Sequence, residues 1–461
     1  MTSILPRSTP SAHGIDAVGI LDLLDALERA PGVETHSLML LRHGHVVAEG
    51  WWAPYSPDRP HLVYSLSKSF TSTALGLAVA EGLVSLDDTV LSHFPDLDAE
   101  VTDPRARRIR VRHVAAMASG HLSDTIDAAR AIDPDDLVRG FLMIPPDREP
   151  GSVFAYNQPC TFSVAAIIQK AAGMPLTEYL RPRLLDPLGI GEVGWLTDPR
   201  GLELGFSGLH ATTDAVAGLG QLYLQRGRWE GEQLLPQAWV DEATRAHIEN
   251  PHEPNPDWRQ GYGFQFWMAR HGYRGDGAYG QFCVVLPEAD VVLAMTGQSE
   301  DMQAVLDAVW EHLLPAIDRA TTKPDAEYRL RDRLAAAALP SPPGGPVTSP
   351  QRTFAPGPQN AVPSITEVRV TPGPGSTALS IHQAGEEITV HAGVGAWHDA
   401  DVVAAAGGEQ QSGELAFDLV FVQTPHRLRI VCAASEDLFA ARWVTEPLHP
   451  LALSDMRMPR G

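Results

Sequence analysis

Tyr64-Ser65-Leu66-Ser67-Lys68-Ser69-Phe70 opens the most informative stretch of this chain. Lysine is rare here: of 35 basic residues only Lys68, Lys170 and Lys323 are lysines. Arginine stays protonated in proteins, whereas a desolvated lysine can lose its proton. Residues 65–81 read as one helix, apolar nearly all round and therefore buried, ending at Gly82. At i and i+3 of its first turn, Ser65 and Lys68 share a face. Burial disfavours the ammonium and lowers its pKa, as a general base requires. Ser65-x-x-Lys68 therefore reads as a serine nucleophile beside an amine that takes its proton. The alternative is a helix cap at Ser65 and a lysine that reaches out to water.

Working outward, a hairpin is expected on each side. Residues 37–42 and 45–52 flank a His43-Gly44 turn, and 281–286 and 291–296 flank Pro287–Asp290. Between them the periodicity is helical, at 65–81, 87–93, 111–118, 161–172, 176–182, 212–226 and 236–246, with outer helices at 15–29 and 302–316. Strands at both ends with helices between predict an α+β domain: an antiparallel sheet closed by its termini, flanked by helices, with a helical subdomain. This domain is expected over 1–320. Residues 321–363 read as a helix (324–338) and a Pro/Gly-rich linker. Over 364–461 the period becomes two. Seven short strands, at 365–371, 377–383, 387–393, 397–404, 413–422, 426–433 and 438–444, predict a small all-β barrel or sandwich.

At 461 residues, two domains are the natural expectation. A formal charge of −22 argues against nucleic acid or an anionic membrane surface as partner. Cys160, Cys283 and Cys432 have neither disulfide nor zinc spacing. The pairs His43/His45 and His247/His252 lack zincin spacing, so no metal is expected. Gly275–Gly280 precedes a strand and lacks phosphate-loop order, so no nucleotide cofactor is expected either. No signal peptide or membrane span is read, and a cytoplasmic location is expected.

A second candidate segment is Glu149-Pro-Gly-Ser-Val-Phe-Ala-Tyr156-Asn157-Gln158-Pro159, ahead of an amphipathic helix. A Tyr–Asn pair there can project a phenol and an amide into a cleft. The phenol relays a proton if lysine lowers its pKa; the alternative is an aromatic plugging the core. Trp51, Trp52, Tyr55, Trp258, Tyr262, Phe264 and Trp267 are candidates for an apolar acyl pocket, or for core.

In order, Ser65-x-x-Lys68, Pro150-Gly151…Tyr156-Asn157 and a Gly-rich turn into a terminal hairpin resemble the serine β-lactamase/penicillin-binding-protein superfamily, nearest its class C β-lactamase-like esterases. Arg112–His121 is similar to the family's LLTHTSG helix end, Ser207–Asp214 to the loop before its next helix, and Gly261–Trp267 to the strand before its third motif. The resemblance spans about 10–317. It implies a Ser65 acyl-enzyme, Lys68 as base and Tyr156 as proton shuttle. It also implies an oxyanion hole from the N–H of Ser65 and one near Gly277-Ala278. The family's Tyr-x-Asn is altered: Asn157 follows Tyr156 directly and Gln158 takes the usual Asn place. Where a basic third motif is usual, the chain reads Tyr273-Arg274-Gly275-Asp276-Gly277. An acidic Asp276 there would repel a substrate carboxylate, unless it is simply a turn cap. The expected activity is therefore that of a serine hydrolase on a small-molecule or peptide ester or amide, neutral or cationic. Alternatives are acyl transfer, as in peptide-cyclising thioesterases of penicillin-binding-protein type with a lipocalin-like second domain, and a non-catalytic binding protein on the same fold.

Overall fold

The computed structural model describes residues 5–319, 323–449 and 451–459. Six antiparallel strands form the main sheet: β1 (Val33–Arg42), β2 (His45–Trp51), β3 (Trp267–Met268), β4 (Tyr273–Gly277), β5 (Gln281–Leu286) and β6 (Val291–Ser299). Their order is β2-β1-β6-β5-β4-β3. The two ends of the domain meet in this sheet, since β1 pairs with β6 from Val33↔Ser299 to Arg42↔Val291. His43 and Gly44 both have positive φ (50° and 73°), which matches the right-handed twist of the hairpin they close.

The central strands are apolar without a break because both sheet faces are covered. Leu38, Leu40, Phe282, Val284, Leu293 and Met295 fall in one buried cluster with helices α1 (Ala17–Arg29) and α5 (Met302–Ala308). The residues between them, Met39, Leu41, Cys283, Val285, Val292 and Ala294, fall in another. That second cluster holds α2 (Ser67–Ala80), α3 (Gln158–Ala172) and α4 (Thr213–Leu224). Period-two alternation thus divides one sheet between two cores. Helix α6 (Ala326–Ala335) packs back on β2: Leu334 lies where a Cβ on Gly50 would come within 2.7 Å.

The C-terminal domain is a closed eight-stranded barrel, β7 (Arg352–Pro356), β8 (Ile365–Pro372), β9 (Ser376–Gln383), β10 (Glu386–Gly393), β11 (Val403–Glu409), β12 (Leu415–Phe421), β13 (Arg427–Ala433) and β14 (Leu438–Thr445). It has one strand more than the pattern predicts. β7 lies inside the Pro/Gly-rich stretch, where Phe354 is fully buried and closes the barrel against β14 in parallel. The strand expected at 397–404 runs instead from Val403 to Glu409, since the Ala404–Gly408 run carries little strand signal of its own. Inward residues such as Val368, Leu379, Phe417, Leu428 and Phe439 form a single buried cluster, so the barrel is filled by its own side chains.

The barrel is docked onto the first domain. Ala404, Val420 and Val422 join the core beneath α1. Arg427 pairs with Glu34 at 2.6 Å, and the Leu62 N–H donates to the Gln423 carbonyl at 2.8 Å. Cys160, Cys283 and Cys432 are free and buried. Among the described residues, no helix is long and apolar enough to cross a membrane.

Candidate active site

Ser65 sits in a single 3-10 turn, Tyr64–Leu66, that runs into α2. Residues 67–78 of that helix are all buried, including six with polar side chains. Hydroxyls are tolerated there because each finds a carbonyl: Ser69 donates to Gln265, Ser72 to Phe264, and Thr71 to Gly205 at 2.9 Å. The helix is therefore locked against the loops that build the rest of the site.

Lys68 is 1% exposed. Its Nζ donates to Ser65 Oγ at 3.1 Å, to Gln158 Oε1 at 2.8 Å and to the Phe206 carbonyl at 2.8 Å. Two of these partners can only accept. When the amine is neutral it keeps two N–H bonds for them, and its lone pair falls toward the Ser65 hydroxyl. Burial drives the Lys68 pKa down to about 7, against the opposing pull of Asp124 and Asp276. The alternative of a lysine reaching water does not hold.

Tyr156 stacks on Trp267 at 5.2 Å, with Lys68 Nζ 4.7 Å from its ring centre. Its hydroxyl lies on the Ser65 side of the site. Burial and then Asp276 push the phenol above its ordinary range, with the Ser65 side chain and the Arg274 charge opposing. The net shift is upward, whereas the relay was read on a lowered phenol pKa. The phenol is accordingly neutral, a donor and acceptor at once.

Gln158, at the start of α3, stands in the site through its bond to Lys68. Asn157 does not. It is fully buried, and its Oδ1 accepts from the N–H and hydroxyl of Thr125, which ties two loops together behind the site. Gly275 and Gly277 explain why β4 is glycine-rich. A Cβ on Gly277 would lie 2.1 Å from the Val63 carbonyl and 3.1 Å from the Ser65 nitrogen; on Gly275 it would lie 2.4 Å from Ser69 Oγ. Only bare backbone lets the strand pass this close to the serine turn.

Asp276 is buried but not alone. Arg274, on the same strand face, binds it through Nε at 2.9 Å, is itself fully buried, and lies 4.2 Å from the Trp258 ring centre. Burial raises the Asp276 pKa and Arg274 opposes that rise. The expected repulsion of a substrate carboxylate is thus largely offset within the strand. Asp124 was not anticipated. Its Oδ1 accepts the Gln158 and Ile126 N–H groups at 3.1 Å each, and its field reaches Lys68. One aspartate in a polar loop carries no sequence signal of this. Of the aromatic candidates, Trp267, Tyr262 and Trp258 wall the Tyr156 side, whereas Trp52 and Tyr55 belong to the core under α1. Among the described residues no three His, Cys, Asp or Glu side chains converge to hold a metal.

The family described as Beta-lactamase matches residues 22–316, well over half of the chain. The chain belongs to the beta-lactamase family. A 6-aminohexanoate-dimer hydrolase of Paenarthrobacter ureafaciens is 25% identical over 302 residues, 59% of this chain and 76% of that protein. Esterase EstB of Burkholderia gladioli is 24% identical over 216 residues, 41% of this chain and 55% of its own length. Among solved structures, that of SurE with D-Leu overlays with a TM-score of 0.52 at 19% identity. It covers 88% of this chain and 97% of its own, so the shared fold extends past the family region into the barrel.

Proposed function

We propose that the protein is a serine hydrolase of ester or amide bonds in a small molecule or peptide, working through an acyl-enzyme on Ser65. The observation that carries this reading is a fully buried lysine amine 3.1 Å from a serine hydroxyl, with its pKa near 7. Neutral Lys68 takes the Ser65 proton as Oγ attacks the carbonyl carbon. The N–H groups of Ser65 and Ala278 receive the developing oxyanion, a role worth about 10²–10³ in rate per donor. Tyr156 passes the proton to the leaving group, which departs as acyl-Ser65 forms. Water then enters on the same side, gives its proton back through Tyr156 and Lys68, and releases the acid. Gln158 holds Lys68 in place. Arg274 is committed to Asp276 and its charge is not free for a substrate carboxylate, which favours neutral substrates. The names of the hydrolase and the esterase among the relatives support amide and ester substrates alike.

The test is intact-protein mass after exposure to a fluorophosphonate and to activated esters, for wild type and Ser65→Ala. A mass gain in wild type alone is expected. No gain in either protein would leave a binding protein on a hydrolase fold. Adding a primary amine to the acylated enzyme separates hydrolysis from acyl transfer, by whether acid or amide is released.

A further inference from the structure

Two tyrosines flank the parts of the chain that carry the oxyanion donors, and both have left-handed backbone. Tyr64 directly precedes Ser65 with φ 48°, and Tyr279 directly follows Ala278 with φ 66°. Such a conformation is unfavourable for a non-glycine residue and persists where its surroundings impose it. The Tyr64 carbonyl accepts from Ser67 Oγ within the first domain, but the tyrosine side chains are held by the other domain.

Tyr64 is 2% exposed, and its hydroxyl meets His426 Nε2 at 2.7 Å. His426 Nδ1 faces the Thr445 carbonyl at 3.1 Å. A carbonyl only accepts, so Nδ1 carries the proton and Nε2 accepts from the Tyr64 O–H. The Tyr64 oxygen in turn accepts the Leu448 N–H at 3.3 Å. Burial keeps His426 neutral, its pKa down at about 3. Tyr279 donates its hydroxyl to the Glu446 carbonyl at 2.6 Å. The His426 ring stands edge-on to both tyrosines, 5.8 Å from each and at 87° to each, while the tyrosine rings lie 5.7 Å apart. His426 immediately precedes β13, and residues 446–448 follow β14. Among the described residues, the hydroxyl and ring contacts of these two strained residues run to one edge of the barrel, to the tail that follows it as far as His449, or to the other tyrosine.

We propose that the barrel is a positioning element of the active site: His426 and the 445–448 tail clamp Tyr64 and Tyr279, and so set the spacing of the Ser65 and Ala278 N–H groups. The proposal rests on the Ser65 acyl-enzyme reading. His426 acts through Tyr64 and is a positioning residue, with no role in proton transfer.

The test compares a p-nitrophenyl ester with its thionoester, in which sulfur replaces the carbonyl oxygen, on wild type, His426→Leu, His426→Gln and Tyr279→Phe. Sulfur is larger and a poorer acceptor, so a well-set hole favours the oxo substrate. His426→Leu is expected to lower kcat for the oxoester about tenfold, a fraction of one donor's full effect, with KM little changed. The thionoester rate should hold, so the oxo/thiono ratio falls by the same factor. His426→Gln, whose Oε1 can accept the Tyr64 hydroxyl, should restore the ratio. Tyr279→Phe, a milder change at a half-buried residue, should shift it in the same direction. The ratio does not depend on how much protein is folded. An unchanged ratio in His426→Leu or in Tyr279→Phe overturns the proposal, even if both rates fall together. A wild type that gains no mass with activated esters refutes the acyl-enzyme reading itself, and is recognised separately from the ratio.

Discussion

Replacing Lys68 by methionine tests the base and its environment at once. An ordinary lysine titrates at 10.5, and Lys68 is held at about 7 chiefly by burial. Between those two values the unfolded chain keeps a proton that the folded protein releases. The unfolded state therefore binds more protons in that window, and stability rises with pH. Below pH 7 both states are protonated and the full penalty stands. At about 1.4 kcal/mol per pKa unit, the buried amine costs the fold roughly 4 kcal/mol at pH 7 and roughly 2 kcal/mol at pH 9. Lys68→Met removes the titrating group. It also leaves Gln158 Oε1 and the Phe206 carbonyl without their donor, about 1–3 kcal/mol each, but that loss does not vary with pH. Wild type should accordingly gain roughly 2 kcal/mol on the variant between pH 7 and 9, measured by urea denaturation of both proteins. In wild type the Ser65 acylation rate should rise tenfold per pH unit below 7 and level off above it. The variant should lose about 10²–10⁴ in that rate. A stability difference that is flat with pH, or that falls as pH rises, would refute the buried-base argument. So would an acylation profile with no inflection near 7.

Two further substitutions probe the strand beside the serine. Gly277→Ala places a Cβ 2.1 Å from the Val63 carbonyl, so the strand must move away; a loss of about 1–3 kcal/mol and a slower acylation with fluorophosphonate are expected, and an unperturbed rate would contradict the close approach. Arg274→Leu leaves Asp276 as a buried charge without its partner and should cost about 3–5 kcal/mol in denaturant, whereas the double change Arg274→Leu/Asp276→Leu should recover most of it; equal losses in single and double variants would show that the pair is not coupled.

What the sequence disclosed, it disclosed through periodicity. Ser65 and Lys68 were legible because residues three apart on a helix share a face, and because a helix buried nearly all round leaves its lysine no route to water. The sheet was legible because apolar runs flank two turns, at His43-Gly44 and Pro287–Asp290. Strand β7 was not: five residues in a proline-rich stretch carry almost no period, and only closure of the barrel gives Phe354 its place. Register decided the second motif. Asn157 and Gln158 are adjacent, yet the turn into α3 sends one behind the site and the other onto Lys68. The compensation of Asp276 was readable in principle, since residues two apart on a strand share a face, and Arg274 stands two before it. Asp124 left no trace, because its role depends on two loops brought together from different parts of the chain.

Several features that oppose folding gather beside Ser65. A fully buried amine, a buried ion pair and two left-handed tyrosines all lie within the small region where β4 passes the Ser65 turn. Each opposes folding by a kcal/mol or more, so the region holds its shape only through what surrounds it. On one side that is the first domain: the α2 hydroxyls locked to Gln265, Phe264 and Gly205, and the Trp267 ring under Tyr156. On the other side it is the barrel edge, through His426, Glu446 and Leu448. A barrel packed with its own side chains is a rigid body, which is what a clamp needs. The same rigidity explains why the Arg427–Glu34 pair and the shared core at Val420 and Val422 matter: they fix the barrel's angle on the sheet, and with it the place where the clamp closes.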